Sequence, residues 1–139
     1  MECTNIRKLK NTKVLEEIEK HFFVSLPLEY KNLVKCYNAG IPTSMKLSVN
    51  KNGIVNHYYF ERLISANEDD VPNILSAISW IEQSEEYLLI PIALDQDGNL
   101  FSIKINGDKY SMVLVDFENG NQCFLAENLD VFLKCLGDE

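Results

Sequence analysis

The sequence predicts an α+β domain: a central, mostly antiparallel sheet of about six strands, helices at both termini and one inserted helix. Three observations carry this expectation. Apolar residues recur at helical spacing near both ends and again over residues 71–81. Apolar stretches suited to strands fill residues 45–60 and 87–126. Three Asn-Gly pairs, Asn52-Gly53, Asn106-Gly107 and Asn119-Gly120, stand between apolar runs, where Asn-Gly favours the positive φ angles of a type I′ hairpin turn. The 139 residues and their apolar content fit one domain, 1–139, with its core within about 14–136.

Val14, Leu15, Ile18 and Phe22 share one face of a first helix, opposite Glu16, Glu17, Glu19 and Lys20, with Asn11 or Thr12 placed to cap it. A second helix starts around Leu26-Pro27-Leu28, with Pro27 in the first turn, where a missing N–H costs little. Its buried stripe is Tyr30, Leu33, Val34 and Tyr37, and Asn38-Ala39-Gly40 stops it, since Gly or Asn adopts the left-handed conformation that closes a helix. Met45–Val49 alternates with period two and forms a hairpin with Ile54–Phe60. Val71, Ile74, Leu75, Ile78 and Ile81 predict an inserted helix capped by Asp70, with Pro72 in its first turn. Tyr87–Leu94, Leu100–Ile105, Tyr110–Phe117 and Gln122–Ala126 follow as strands. Asn128 then caps a last helix whose Leu129, Phe132, Leu133 and Leu136 face inward and which Gly137 closes.

Net charge is −8 but unevenly spread. Residues 1–46 hold eight Lys/Arg against five Asp/Glu, net +3, whereas residues 47–139 hold five against sixteen, net −11. So acidic a portion opposes direct nucleic-acid binding, because affinity for phosphate comes from Lys and Arg. It suits a basic protein partner and would speed the encounter. No apolar run approaches the roughly 20 residues that span a bilayer, and Met1-Glu2-Cys3-Thr4-Asn5 lacks the pattern of a secretory signal, so the expectation is a cytoplasmic protein without a membrane partner. Cys3, Cys36, Cys123 and Cys135 are 33, 87 and 12 residues apart, giving neither a CxxC pair nor a disulfide framework. They read as reduced thiols, with Cys36 and Cys135 as small buried hydrophobes of helices.

Constellations for chemistry are missing from the pattern. Asp95-Gln96-Asp97-Gly98-Asn99 resembles the start of a calcium loop, yet Leu100 and Asn106 stand where an EF-hand needs Gly and Glu, and strands flank it, so it reads as a β-turn. His21 and His57 are the only histidines and form no ligand-spaced pair, so no metal is expected. There is no Gly-x-Ser-x-Gly elbow, phosphate loop or dinucleotide fingerprint. Glu85-Glu86 and Glu68-Asp69-Asp70 are adjacent acids in polar loops, which do not supply the split pKa values of an acid–base pair. Tyr58-Tyr59-Phe60 and Trp80 suit either the core or a binding hot spot. No catalytic residue and no cofactor is expected.

The order of short motifs is more telling. Leu26-Pro27-x-x-Tyr30 leads to Tyr37-Asn38-Ala39-Gly40; Ile90-Pro91-Ile92-Ala93 precedes Asp97-Gly98-Asn99; and Ala126-Glu127-Asn128-Leu129-x-x-Phe132-Leu133 ends the chain. Together, over residues 14–136, they resemble the SUKH superfamily, which includes fungal cell-wall assembly regulators and bacterial immunity proteins. The family's glycine pair after the second helix is here Asn38-Ala39-Gly40, and its Asp-Ser-Phe at the last helix is Asn128-Leu129; both keep a helix stop and a helix cap.

What the resemblance implies is a SUKH-like, non-catalytic α+β domain that binds and neutralises a cognate protein toxin, often a nuclease. With the acidic balance, the partner is expected to be basic, bound by steric cover and charge complementarity, to a monomer or weak dimer. Candidate contacts are Glu68, Asp69, Asp70, Asp95, Asp97, Asp116 and Glu118. The alternative is a regulatory scaffold of the cell-wall assembly regulator type.

Overall fold

The computed structural model describes residues 1–137. Two helices open the domain, α1 (Lys13–Phe22) and α2 (Leu28–Tyr37), bracketed by two-residue strands β1 (Cys3–Thr4) and β2 (Ile41–Pro42) that pair with each other. Six strands then build the antiparallel sheet: β3 (Lys46–Lys51), β4 (Ile54–Leu63), β5 (Leu88–Asp95), β6 (Leu100–Asn106), β7 (Lys109–Val115) and β8 (Gln122–Ala126). α3 (Ile74–Ile78) is inserted between β4 and β5. α4 (Leu129–Lys134) follows β8, and a two-residue β9 (Leu136–Gly137) adds outside β3, giving the order β8-β7-β6-β5-β4-β3-β9. This is the α+β architecture expected from the sequence.

β5 is the middle strand, and its sequence explains why: seven of its eight residues are buried, as a strand covered on both faces requires. Ile90 and Ile92 face the principal core, where Ile18 of α1, Tyr30 and Leu33 of α2 and Phe132 of α4 meet the sheet. Phe60 and Phe101 stack there with ring centroids 5.3 Å apart, and Phe132 lies 5.4 Å from Phe101. Leu89 points the other way, into a smaller cluster with Ile81, Leu100, Val113 and Val115. Pro91 is tolerated in a central strand because the register with β6 shifts between Pro91 and Ala93, a bulge that relieves the missing N–H.

Several boundaries differ from expectation, each for a local reason. Pro27 sits just before α2, where its carbonyl accepts from Tyr30 and Lys31 N–H. The left-handed residue after α2 is Ala39 (φ 60°), not Gly40. Gly40 is required by crowding instead: a Cβ there would meet Cys3 Cβ and the Tyr37 carbonyl oxygen, each at 2.8 Å. Only Asn52-Gly53 places both residues at positive φ, 53° and 84°, so one of the three Asn-Gly pairs makes a type I′ turn. α3 begins at Ile74 and is capped by Asn73, which forms a capping box with Ser76, while Val71 is 94% exposed; Asp70 is therefore not the cap. α4 is capped by Asn128 as expected but ends at Lys134, since Leu136-Gly137 pairs with Lys46-Leu47. Cys36 is exposed on α2 rather than buried.

A buried polar hub replaces apolar packing where the N-terminal segment crosses the domain. Asn38 donates to the Arg7 carbonyl at 2.8 Å and to Ser65 Oγ at 3.1 Å, and accepts from Ala66 N–H at 2.8 Å. Asn67 donates to the Lys8 carbonyl and accepts from Lys10 N–H, each at 2.9 Å. Residues 7–10 are thus stitched down by side chains that complete each other's hydrogen bonding, as burial demands.

Candidate functional site

Antiparallel order puts the β5–β6 and β7–β8 turns at one end of the sheet, and the sequence shapes both with aspartates. Asp95 Oδ1 accepts from Asp97 N–H at 2.9 Å and Asn99 N–H at 2.7 Å, while Gly98 takes φ 85°. Asp116 Oδ1 accepts from Glu118 N–H at 2.9 Å, and the Asp116 carbonyl accepts from Gly120 N–H at 2.8 Å. Phe117 N–H donates to Asn99 Oδ1 at 3.3 Å, joining the two turns. Gln96 N–H donates to the Tyr59 carbonyl at 2.9 Å, joining β4 to the same rim.

The result is a continuous edge carrying acids and large apolar side chains together. Asp97 and Glu118 are exposed and Asp116 is half-buried, and among the described residues none of the three is in an ion pair. Beside them Tyr59 is 44% and Phe117 54% exposed. Uncompensated acids with aromatic neighbours suit a surface that recognises cationic and apolar groups of another protein.

The seven candidate acids therefore do not form one patch. Asp95, Asp97, Asp116 and Glu118 share the rim, although Asp95 is buried and its oxygens are taken by its own turn. Glu68, Asp69 and Asp70 lie after β4, where Glu68 is exposed while Asp69 and Asp70 meet the N-terminal segment. Asp70 is buried, receives Ser65 Oγ–H at 2.6 Å and Asn67 Nδ2–H at 3.3 Å, and pairs with Arg7 at 2.8 Å. The Ser65 hydrogen bond, then Asn67 and Arg7, hold its carboxyl below the ordinary carboxylate range against the opposing effect of burial. Asp69 pairs with Lys10 at 3.2 Å, both exposed. These pairings consume charge that the sequence alone leaves free. Tyr59 and Phe117 at the rim were not separable from core aromatics by spacing, since β4 is exposed along most of its length while its Phe60 is buried.

Side chains with chemical potential occur elsewhere but do not assemble. Ser48 Oγ and His57 Nδ1 are 2.9 Å apart as a cross-strand pair on the exposed face, and among the described residues no carboxylate bonds to that ring. Cys123 Sγ lies 3.3 Å from Tyr58 Oη, a contact that with burial pushes the phenol up to about 12, and 3.6 Å from Lys51 Nζ. A cleft of about 840 Å³ runs between the N-terminus, α2 and α4 past Glu29, Cys36, Asp130 and Lys134, without a nucleophile–base contact among the described residues. Among the described residues no group of three or more His, Cys, Asp or Glu could hold a metal, and no helix is long and apolar enough to cross a membrane.

No curated protein and no solved structure matches the chain. A family model does: SUKH_6, described as SMI1-KNR4 cell-wall, matches residues 12–133, from the residue before α1 into α4. That span takes in both opening helices, the whole six-stranded sheet and the joined turns of the rim, and with it the chain belongs to the SUKH family.

Proposed function

We propose that this chain is an immunity protein: a non-catalytic cytoplasmic domain that binds a basic protein toxin and covers its active site. The observation that carries the reading is the rim, where Asp97, Asp116 and Glu118, in no ion pair among the described residues, stand beside exposed Tyr59 and Phe117 in a SUKH chain. Such acids steer a basic partner and the aromatics supply the area that holds it. Immunity proteins are one of the two kinds of member for which the family is known.

The test is co-expression with the protein encoded beside its gene. The expected result is growth in cells that the neighbour alone arrests, with a complex that survives co-purification, and weaker protection when Asp97, Asp116 and Glu118 are all changed to Lys. Growth arrest unrelieved by the wild-type chain, with no complex recovered, would sink the proposal. A regulatory scaffold is the second reading, favoured by the cell-wall description of the matched family. It expects a stable complex with a non-toxic partner and no rescue phenotype.

A further inference from the structure

Behind the rim, on the face of the sheet opposite the principal core, a groove of about 500 Å³ runs between the segment 80–87 and the β7–β8 turn. Its walls carry three aromatic rings, Trp80, Tyr87 and Phe117, and two carboxylates, Glu82 and Glu118, and among the described residues no Lys or Arg lines it. That combination is what a guanidinium or ammonium group seeks: ring faces attract the cation and carboxylates neutralise it. Lys104 Nζ already lies 4.2 Å from the Tyr87 ring centroid, so Trp80 and Phe117 are the rings left to meet an incoming cation.

The groove is also held in shape. Gln83 accepts from Leu89 N–H at 2.8 Å and donates to the Leu89 carbonyl at 2.9 Å and the Ile78 carbonyl at 3.2 Å, so the segment bearing Trp80 and Glu82 is fastened to the central strand. Gln122 Nε2–H donates to Tyr87 Oη at 2.9 Å from the other wall. A wall fixed before binding loses little conformational freedom when a ligand arrives.

We infer that this groove receives an arginine-bearing segment of the protein partner. The inference rests on the toxin-binding reading and adds to it the chemistry of the inserted group and its seat. Arginine fits better than lysine because its planar cation stacks on an aromatic face while donating to a carboxylate. Phe117 and Glu118 belong to both rim and groove, so a partner on the rim reaches the groove without a second interface.

Trp80 is the single tryptophan of the chain and lines this groove, so tryptophan fluorescence comes from one ring at the site. Titration with a blocked oligo-arginine peptide is expected to give a saturable change in that signal, stronger than with oligo-lysine. Changing Glu82 and Glu118 to Lys should weaken the affinity about tenfold or more, with circular dichroism unchanged. Phe117→Ala, at an exposed turn position, should weaken it severalfold. A signal that fails to saturate, or affinity indifferent to the two charge reversals, would overturn the inference.

The same variants, tested against the neighbouring gene product, separate the two readings. Rescue that persists with Glu82 and Glu118 reversed and an unmoved Trp80 signal removes the groove and leaves the immunity role standing. Arginine-peptide binding without rescue removes the immunity role and leaves the groove.

Discussion

Asp70 was expected at a helix N-terminus and on an interface, and serves neither as a cap nor as a free surface charge. It is a buried acceptor for Ser65 and Asn67 with Arg7 alongside. Asp70→Ala leaves those donors without their acceptor and should cost about 1–3 kcal/mol in denaturant unfolding. The carboxyl is more acidic in the folded protein than its ordinary value of 3.8, so its contribution is complete above that value and is lost as pH falls through the lower folded value. The stability gap between wild type and Asp70→Asn should therefore hold at neutral pH and narrow only below about pH 4. A gap that closed between pH 5 and 7 would contradict this assignment. Tyr30 makes the opposite case: it is fully buried and, among the described residues, its hydroxyl has no hydrogen-bond partner. Tyr30→Phe removes a desolvated polar group without a lost bond, and should leave the melting temperature unchanged or raise it by a few degrees, about 1 kcal/mol. A clear fall in melting temperature would show that the hydroxyl is satisfied after all.

The helices and strands were largely legible because each is a local pattern. The stripe Val14, Leu15, Ile18 is the buried face of α1, and the apolar run 88–94 became the strand at the centre of the sheet. What misled were positions decided by partners far away in sequence. Asn73 rather than Asp70 caps α3, because Arg7, distant along the chain, and Ser65, just before the loop, claim the aspartate. Leu136 reads as one more inward helical residue until β3 offers it a strand to pair with. Asn73→Ala removes the capping box and should cost about 1 kcal/mol. Gln83 is an ordinary loop residue by sequence, yet it makes three hydrogen bonds that fasten the 80–87 segment to β5 and α3. Gln83→Ala should speed amide exchange at Leu89, whose N–H loses its acceptor, while strands β6 and β7 keep their protection. Equal loss of protection across the sheet would mean that Gln83 stabilises the domain generally and does not act as a local clamp.

Over the entire domain, charge is arranged less simply than the split between a basic first third and an acidic remainder suggests. Arg7 and Lys10 are spent on Asp70 and Asp69, which joins the basic N-terminal segment to the acidic portion and leaves the rim as a place where acids face outward uncompensated. The net charge could be read from composition, but the location of its effective part could not, because it depends on which cations fold back onto which acids. A consequence follows for the rate of complex formation with the proposed partner. Steering acts over roughly a Debye length, so raising NaCl from about 50 to about 500 mM should slow wild-type association by about tenfold while changing dissociation little. Reversing Asp97, Asp116 and Glu118 to Lys should lower the low-salt rate and flatten that dependence. Reversing Asp69, whose charge is already met by Lys10, should do much less. Stopped-flow traces over the salt series would check all three, and a salt slope as steep in the triple variant as in wild type would place the steering charge elsewhere than the rim.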